Sequence, residues 1–467
     1  MRLQLHFCLL IIIGISLNAC QKESVLYAED GEELAGGTTT FFNTSRNAFG
    51  FSAPNLKGLQ ALRFTTGNSF FNQSWVTAIA STTGRDGLGP LFNETACSGC
   101  HFKDGRGRTP KFGEIFGHGM LIRLSIPGVN QHGGPLADPM YGGQLSPGGI
   151  SGIQGEGTFE IQYTEIAGTY GDGTSYSLRK PTYTFHNLAY GNLDNNMLFS
   201  PRVANQMVGM GLLDAIEISA IKAFADESDV DGDGISGKAN LVYNQATNSM
   251  DLGRFGWKAG QPNVRQQVAG AFVGDLGITS NLFLGENHTS LQTDCQNVPN
   301  GNNSSGYELD DQVLDRVELY SSTLAVPGRR DWKSQEVLQG KELFLKANCQ
   351  KCHVQKYKTG THPKFDALSN QTIYPYTDLL LHDMGEGLAD NRPEYLADGQ
   401  EWRTAPLWGI GLIETVNGHT EFLHDGRARN ITEAILWHAG EGEASKESFR
   451  TMSAEEREQL VLFVKSL

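Results

Sequence analysis

The chain has 467 residues and a formal net charge of −15. That length allows roughly two to four domains, and the acidic balance excludes the basic face of a nucleic-acid-binding protein. Hydrophobic content is ordinary for a soluble protein, while 56 glycines imply many loops and a modest share of regular structure.

The first residues, MRLQLHFCLLIIIGISLNACQKES, carry Arg2, an apolar run from Leu9 to Ile15, and then Leu17-Asn18-Ala19-Cys20. The run is too short to span a bilayer and reads as a signal peptide over 1–19. A Cys directly after Leu-x-Ala resembles the bacterial lipobox, so Cys20 is expected to carry lipid. The mature chain would then be an exported lipoprotein, held at the periplasmic face of a membrane or at the cell surface. No other long apolar stretch is present, which argues against a channel or transporter. Residues 20–50 read as a tether.

A first domain is expected over 51–284. Near its start LFNETACSGCH (91–101) has a twin in LFLKANCQKCH (343–353), both Leu-Phe-x4-Cys-x2-Cys-His. Two thiols at this spacing can form thioethers with the two vinyl groups of one porphyrin. The adjacent His then lies under the iron as its proximal ligand. A zinc site would want further Cys or His nearby, and a redox dithiol would not need the His twice. The pair predicts two covalently bound c-type haems, on Cys97, Cys100 and His101 and on Cys349, Cys352 and His353.

Residues 120–180 are glycine-rich and alternate in places, predicting a β insertion. Over 200–226, Val208, Leu212, Ile216, Ile218, Ile221 and Phe224 return to helical spacing. In DVDGDGISGKAN (229–240), Asp229, Asp231 and Asp233 occupy positions 1, 3 and 5 of a calcium-type loop. Gly234 sits at position 6 and the Ile235 carbonyl at 7. Position 12 is Asn240, so bidentate closure is missing; Ca2+ is expected, with an acidic surface turn as the alternative.

Residues 285–330 are read as a linker or loop segment, and 331–467 as a second haem domain. There 334–348 predicts a helix capped by Ser334, and Ser453 with Glu456 forms a capping box before a closing helix with the stripe Leu460, Phe463, Val464 and Leu467. The expected fold is mainly α with a β-rich insertion, built on two cytochrome c-like haem domains.

One more stretch suggests a family. EWRTAPLWGIGLIETVNGHTEFLHDGRARNITEAILWHAG (401–440) is similar to the C-terminal haem domain of bacterial dihaem cytochrome c peroxidases. Over about residues 40–467, motifs including GPLFNETACSGCHFKDGRG, SLRKPTYTF and TDLLLHDMGEGLAD resemble the dihaem oxidoreductases, often labelled thiol oxidoreductases. The resemblance implies that His438 stands where the peroxidases hold a Met, pairing with His353 on one iron and lowering its potential; Met384 is the rival ligand. It implies His118 as the sixth ligand of the first haem, with Met120 or an open iron as alternatives, and Arg179-Lys180-Pro181-Thr182 as lining. Asp214 and Glu217 are the candidates for the family's catalytic acid. Relatives often pair a second Cys with the position of Cys295; here His288 replaces it, leaving Cys295 buried or free.

The expected function is a peroxidase-like oxidoreductase. One haem would exchange electrons with a small redox donor or acceptor protein, and the other would reduce a small oxidant such as peroxide or oxidise a substrate. An electron-transfer dihaem cytochrome and a haem lipoprotein serving metal uptake are the alternatives.

Overall fold

The computed structural model describes residues 25–467; the expected signal peptide and Cys20 lie outside them. Glycine-rich connections keep the regular elements short, and among the described residues five helices reach 12 residues. These are α1 (Gly58–Asn72), α2 (Val264–Leu276), α3 (Asp311–Ser322), α4 (Gln335–Lys346) and α5 (Ala454–Ser466). The described strands form six small sheets, none wider than three strands. The mainly α expectation is therefore wrong, and no cytochrome c-like domain is evident among the described residues. Glycine breaks the helical runs, and much of the chain is held by turns and short strand pairs.

Where the chemistry is local, the elements fall as the residues dictate. The Ser334 hydroxyl accepts the Val337 N–H at the head of α4, and α4 buries Val337, Leu338 and Phe344. Ser453 and Glu456 make the reciprocal capping box of α5, which buries Leu460, Phe463 and Val464. The two helices cross at Gly340, where a Cβ would lie 2.0 Å from the Gln459 carbonyl oxygen. In the other half α1 and α3 cross in the same way at Gly67, where a Cβ would lie 2.2 Å from the Arg316 carbonyl oxygen.

Strands occupy the alternating region: β1 (Met120–Val129), the long hairpin β2 (Thr158–Thr169) and β3 (Ser175–His186), and β4 (Leu198–Val203) antiparallel to β1. They enclose a small core of Ile122, Leu124, Tyr141 and Leu145, with Phe159, Tyr183, Phe185 and Phe199 packed against it. Residues 200–226 do not form the continuous helix their spacing predicts. They hold the end of β4 and two single-turn helices, Met210–Asp214 and Ile218–Lys222, with Ile218 and Phe224 exposed.

One hydrophobic core runs from Ala35 to Leu467. The expected linker contributes α3, whose Val313, Leu314, Val317 and Tyr320 are buried in that core. Part of the expected tether is also built in: Ala35, Ala48 and Phe49 are buried, and Glu32, fully enclosed, is paired with Arg329 (3.0 Å) and Lys341 (2.5 Å). No helix among the described residues is long and apolar enough to cross a membrane.

Candidate functional site

The two Cys-x-x-Cys-His units open into one continuous cavity of about 680 Å³. Cys97–Cys100 forms a single helical turn, and the backbone N–H of His101 donates to the Cys97 carbonyl (3.0 Å). The second unit repeats this, with the His353 N–H donating to the Cys349 carbonyl (2.9 Å). In the first unit Nδ1–H of His101 donates to the Asn205 carbonyl at 2.7 Å, and in the second Nδ1–H of His353 donates to the Tyr376 carbonyl at 3.0 Å. A carbonyl can only accept, so the proton is on Nδ1 and the Nε2 lone pair of each ring stays free. Burial lowers the pKa of both rings, that of His353 to about 4, which keeps them neutral.

His438, expected opposite His353, lines the same cavity in the same state. Its Nδ1–H donates to the Ala434 carbonyl at 2.8 Å, and burial lowers its pKa. It lies near enough to His353 to disfavour a proton there. Met384, the rival, lines the cavity beside it, and a Cβ on Gly442 would touch both residues.

His118 is placed differently. Its Nε2–H donates to the Ile115 carbonyl (3.1 Å), and its Nδ1 accepts the Met120 N–H (3.0 Å). The ring faces a separate small recess, shared with Met120, and offers no free nitrogen. The family resemblance implied His118 as a haem ligand, but the local backbone takes both nitrogens. The expected catalytic acids also lie elsewhere. Asp214 accepts the Val264 N–H (3.2 Å), with burial pushing its pKa up to about 6, and Glu217 is exposed at the head of a short helix. Neither lines the cavity; the carboxylates that do are Glu94, Asp275, Glu394 and Glu441. Arg179 is not in the lining either. It packs on the Tyr163 ring and donates to the Arg427 (2.8 Å) and Gly426 (3.0 Å) carbonyls, pinning the turn at 424–427.

That turn supplies a residue the sequence reading passed over. His424, 4 % exposed, lines the cavity and stacks on Trp402 (ring centroids 3.7 Å apart), with Trp257 edge-on at 6.5 Å. Burial lowers its pKa to about 4. The Trp257 indole N–H donates to the Val203 carbonyl, near Asn205, and that of Trp402 to the Leu388 carbonyl, near Met384. The aromatic row therefore runs from the surroundings of one unit to those of the other.

The four thiols of the two units are free, and so is Cys295. Burial pushes the Cys97 and Cys349 thiols up to about 12. Cys295 is buried 3.7 Å from the Tyr190 hydroxyl and is likewise pushed up, to about 11; His288 lies against Gln296 instead. In the acidic loop Asp226, Asp229 and Asp231 bring one carboxylate oxygen each within 4.8 Å of the others. Asp233 instead takes the Lys351 ammonium (2.8 Å), inside the second Cys-x-x-Cys-His unit, and accepts the Ile235 N–H (2.9 Å). Asn240 does not close the loop. It is buried, and its amide donates to the Lys258 and Glu394 carbonyls.

The sequence matches the family described as "Di-haem oxidoreductase, putative peroxidase" over residues 29–467. The chain belongs to the di-haem oxidoreductase family. No curated protein matches this di-haem oxidoreductase. A solved chain of Kuenenia stuttgartiensis hydrazine synthase, determined under 20 bar of xenon, is 19% identical over 46% of this chain and 75% of that one, with a TM-score of 0.24. That likeness is too slight to speak for fold or chemistry.

The cavity of the di-haem oxidoreductase fits the two haems its family implies. Beyond the bare Nε2 atoms, α2 turns a flat face to it: Gln267, Gly270, Ala271 and Gly274 recur at helical spacing. Added Cβ atoms at Gly270 and Gly274 would meet nothing closer than 3.7 Å, so the space beside the helix is open for a planar ring.

Proposed function

We propose that this di-haem oxidoreductase reduces hydrogen peroxide, taking two electrons and two protons to form two waters. The observation that carries the reading is the unequal surroundings of His101 and His353 within one cavity. A second neutral imidazole with a free Nε2, His438, stands near His353, whereas His118, expected opposite His101, has both nitrogens in backbone hydrogen bonds. His353 and His438 would hold one haem from both sides, and His101 the other from one side, leaving a face for an oxidant. Each haem would be attached through its Cys pair. Bound haem iron supplies the one-electron chemistry.

The chain's own part is to position and to move protons. Glu94 lines the cavity beside Cys100, and burial raises its pKa, which suits a carboxyl that carries a proton between the oxygens of a peroxide. Glu394 and Glu441 are held low by basic partners and suit that task less. Asp226, Asp229 and Asp231 would take Ca2+, Cys20 a lipid that keeps the exported protein at a membrane, and a small redox protein would deliver the electrons.

Magnetic circular dichroism of the holoprotein, with peroxide turnover on an artificial donor, tests the reading. His438→Ala should convert one haem from low to high spin, His118→Ala should leave both spin states unchanged, and Glu94→Gln should lose turnover at full haem content. Two low-spin haems inert to peroxide and carbon monoxide would instead identify an electron-transfer cytochrome.

A further inference from the structure

The cavity is strongly cationic although the chain is acidic. Seven Lys and Arg side chains line it against four Asp and Glu, in a protein of net charge −15. Several of these arginines are spent on backbone carbonyls: Arg106 on Glu421 and Leu423, Arg254 on Leu213 and Ile216, Arg403 on Gly256 and Thr404. Three others gather around one carboxylate. Arg202 (8 % exposed) and Arg392 (4 % exposed) approach Glu394 at 2.7 and 3.1 Å, and Arg123 lies close enough for its charge to bear on both arginines and on Glu394.

Their hydrogen-bonding capacity is not met. Arg392 Nε is buried without a partner, and among the described residues the partly exposed Arg123 guanidinium makes no hydrogen bond. The other charged groups bearing on the cluster are Asp275, which faces Arg123, and the Lys258–Asp390 pair, which is neutral overall. Enclosed guanidinium groups without matching anions are costly unless a ligand completes them. Arg is the side chain whose planar fork fits a carboxylate in bidentate fashion.

We infer that Arg123, Arg202 and Arg392 form a carboxylate-binding pocket, completed by a propionate of the haem held at Cys97, Cys100 and His101. The first unit is the relevant one because Asp275, which faces Arg123, lines the cavity with Cys97, Cys100 and His101 and its carbonyl accepts the Asn93 N–H (2.7 Å), four residues before Cys97. Arg123 further lies beside Gly274 on the flat face of α2, its Nη1 3.7 Å from where a Cβ would stand.

The inference rests on the di-haem reading, and the experiment separates the two. Haem content by pyridine haemochrome comes first: a wild-type protein without two haems overturns the parent reading. Spectroelectrochemical titration of wild type, Arg123→Leu and Arg123→Lys follows. Removing a cation beside a propionate favours the ferric state. Arg123→Leu is therefore expected to lower the midpoint potential of one haem and leave the other in place, and Arg123→Lys to restore most of the difference. If Arg123→Leu does not fold or loses haem, Arg392→Lys is titrated instead, with a smaller downward shift of the same haem expected. Acetate titration distinguishes the source of the carboxylate. A saturable change in the wild-type haem spectrum, lost in Arg123→Leu, would assign the pocket to a free carboxylate; its absence together with the potential shift assigns it to the propionate. Unmoved potentials at full haem content, with no acetate effect, overturn the pocket altogether.

Discussion

Asp390→Asn should destabilise the whole molecule, although Asp390 touches neither Cys-x-x-Cys-His unit. The Lys258 side chain is fully buried, and its ammonium donates to Asp390 Oδ1 (2.8 Å) and to the Arg392 (3.0 Å) and Asp398 (2.6 Å) carbonyls, over the Trp402 ring at 4.6 Å. Burial already lowers its pKa, and Asp390 is what offsets that. Breaking a buried pair by removing one partner costs about 3–5 kcal/mol. The two carbonyls that remain place the loss near the lower end, about 3 kcal/mol. Urea unfolding followed by tryptophan fluorescence measures it. Because the same ammonium ties down the segment carrying Arg392 and Glu394, the effect should be accompanied by weaker retention of haem. The double change Lys258→Met with Asp390→Leu should recover only part of the loss, since it removes the unpaired ammonium but leaves the Arg392 and Asp398 carbonyls without their donor. A loss under about 1 kcal/mol for Asp390→Asn, the level of an exposed pair, would refute the reasoning.

Glu394 should set an acid limb. Burial alone would raise its carboxyl, but Arg202 and Arg392 hold it at about 2, below the ordinary 4.5. Its contribution is therefore complete above the ordinary value and lost as pH falls toward 2, and Glu394→Gln should flatten stability against pH in that window. Gly340→Ala should cost about 1–3 kcal/mol in thermal or urea unfolding, because its Cβ would meet the Gln459 carbonyl and force α4 and α5 apart. Calcium titrated calorimetrically into chelator-treated protein should give a saturable heat that Asp229→Ala abolishes, whereas Asp233→Ala retains it, since Asp233 already serves Lys351.

What was legible in the sequence was local or repeated. The twin units, the caps of α4 and α5 and the alternation of the hairpin each depend on neighbours a few residues away, and those features are where the residues place them. What the sequence hid depends on distant partners. Residues 285–330 read as polar loop, yet α3 inside them is buried because α1 closes over it at Gly67. Asn240 looked like the end of a cation loop and instead bonds carbonyls in the core. His438 could be placed by the resemblance of residues 401–440. His118 matched its motif equally well, but the backbone of its own loop takes both ring nitrogens. The arginine cluster had no signal at all, since Arg123, Arg202 and Arg392 come from three separate segments and only their gathering around Glu394 in one cavity makes them unusual.

The shared cavity also constrains how the protein can be made. Its wall draws on α2 and on His424, Trp402 and Arg403, so the surroundings of the first Cys-x-x-Cys-His unit are completed by residues the ribosome delivers some 300 positions later. Neither half encloses a cofactor site by itself, and a chain cut between them would yield two open shells rather than two small cytochromes. The walls around the first unit are thus incomplete until the far end of the chain has folded against it.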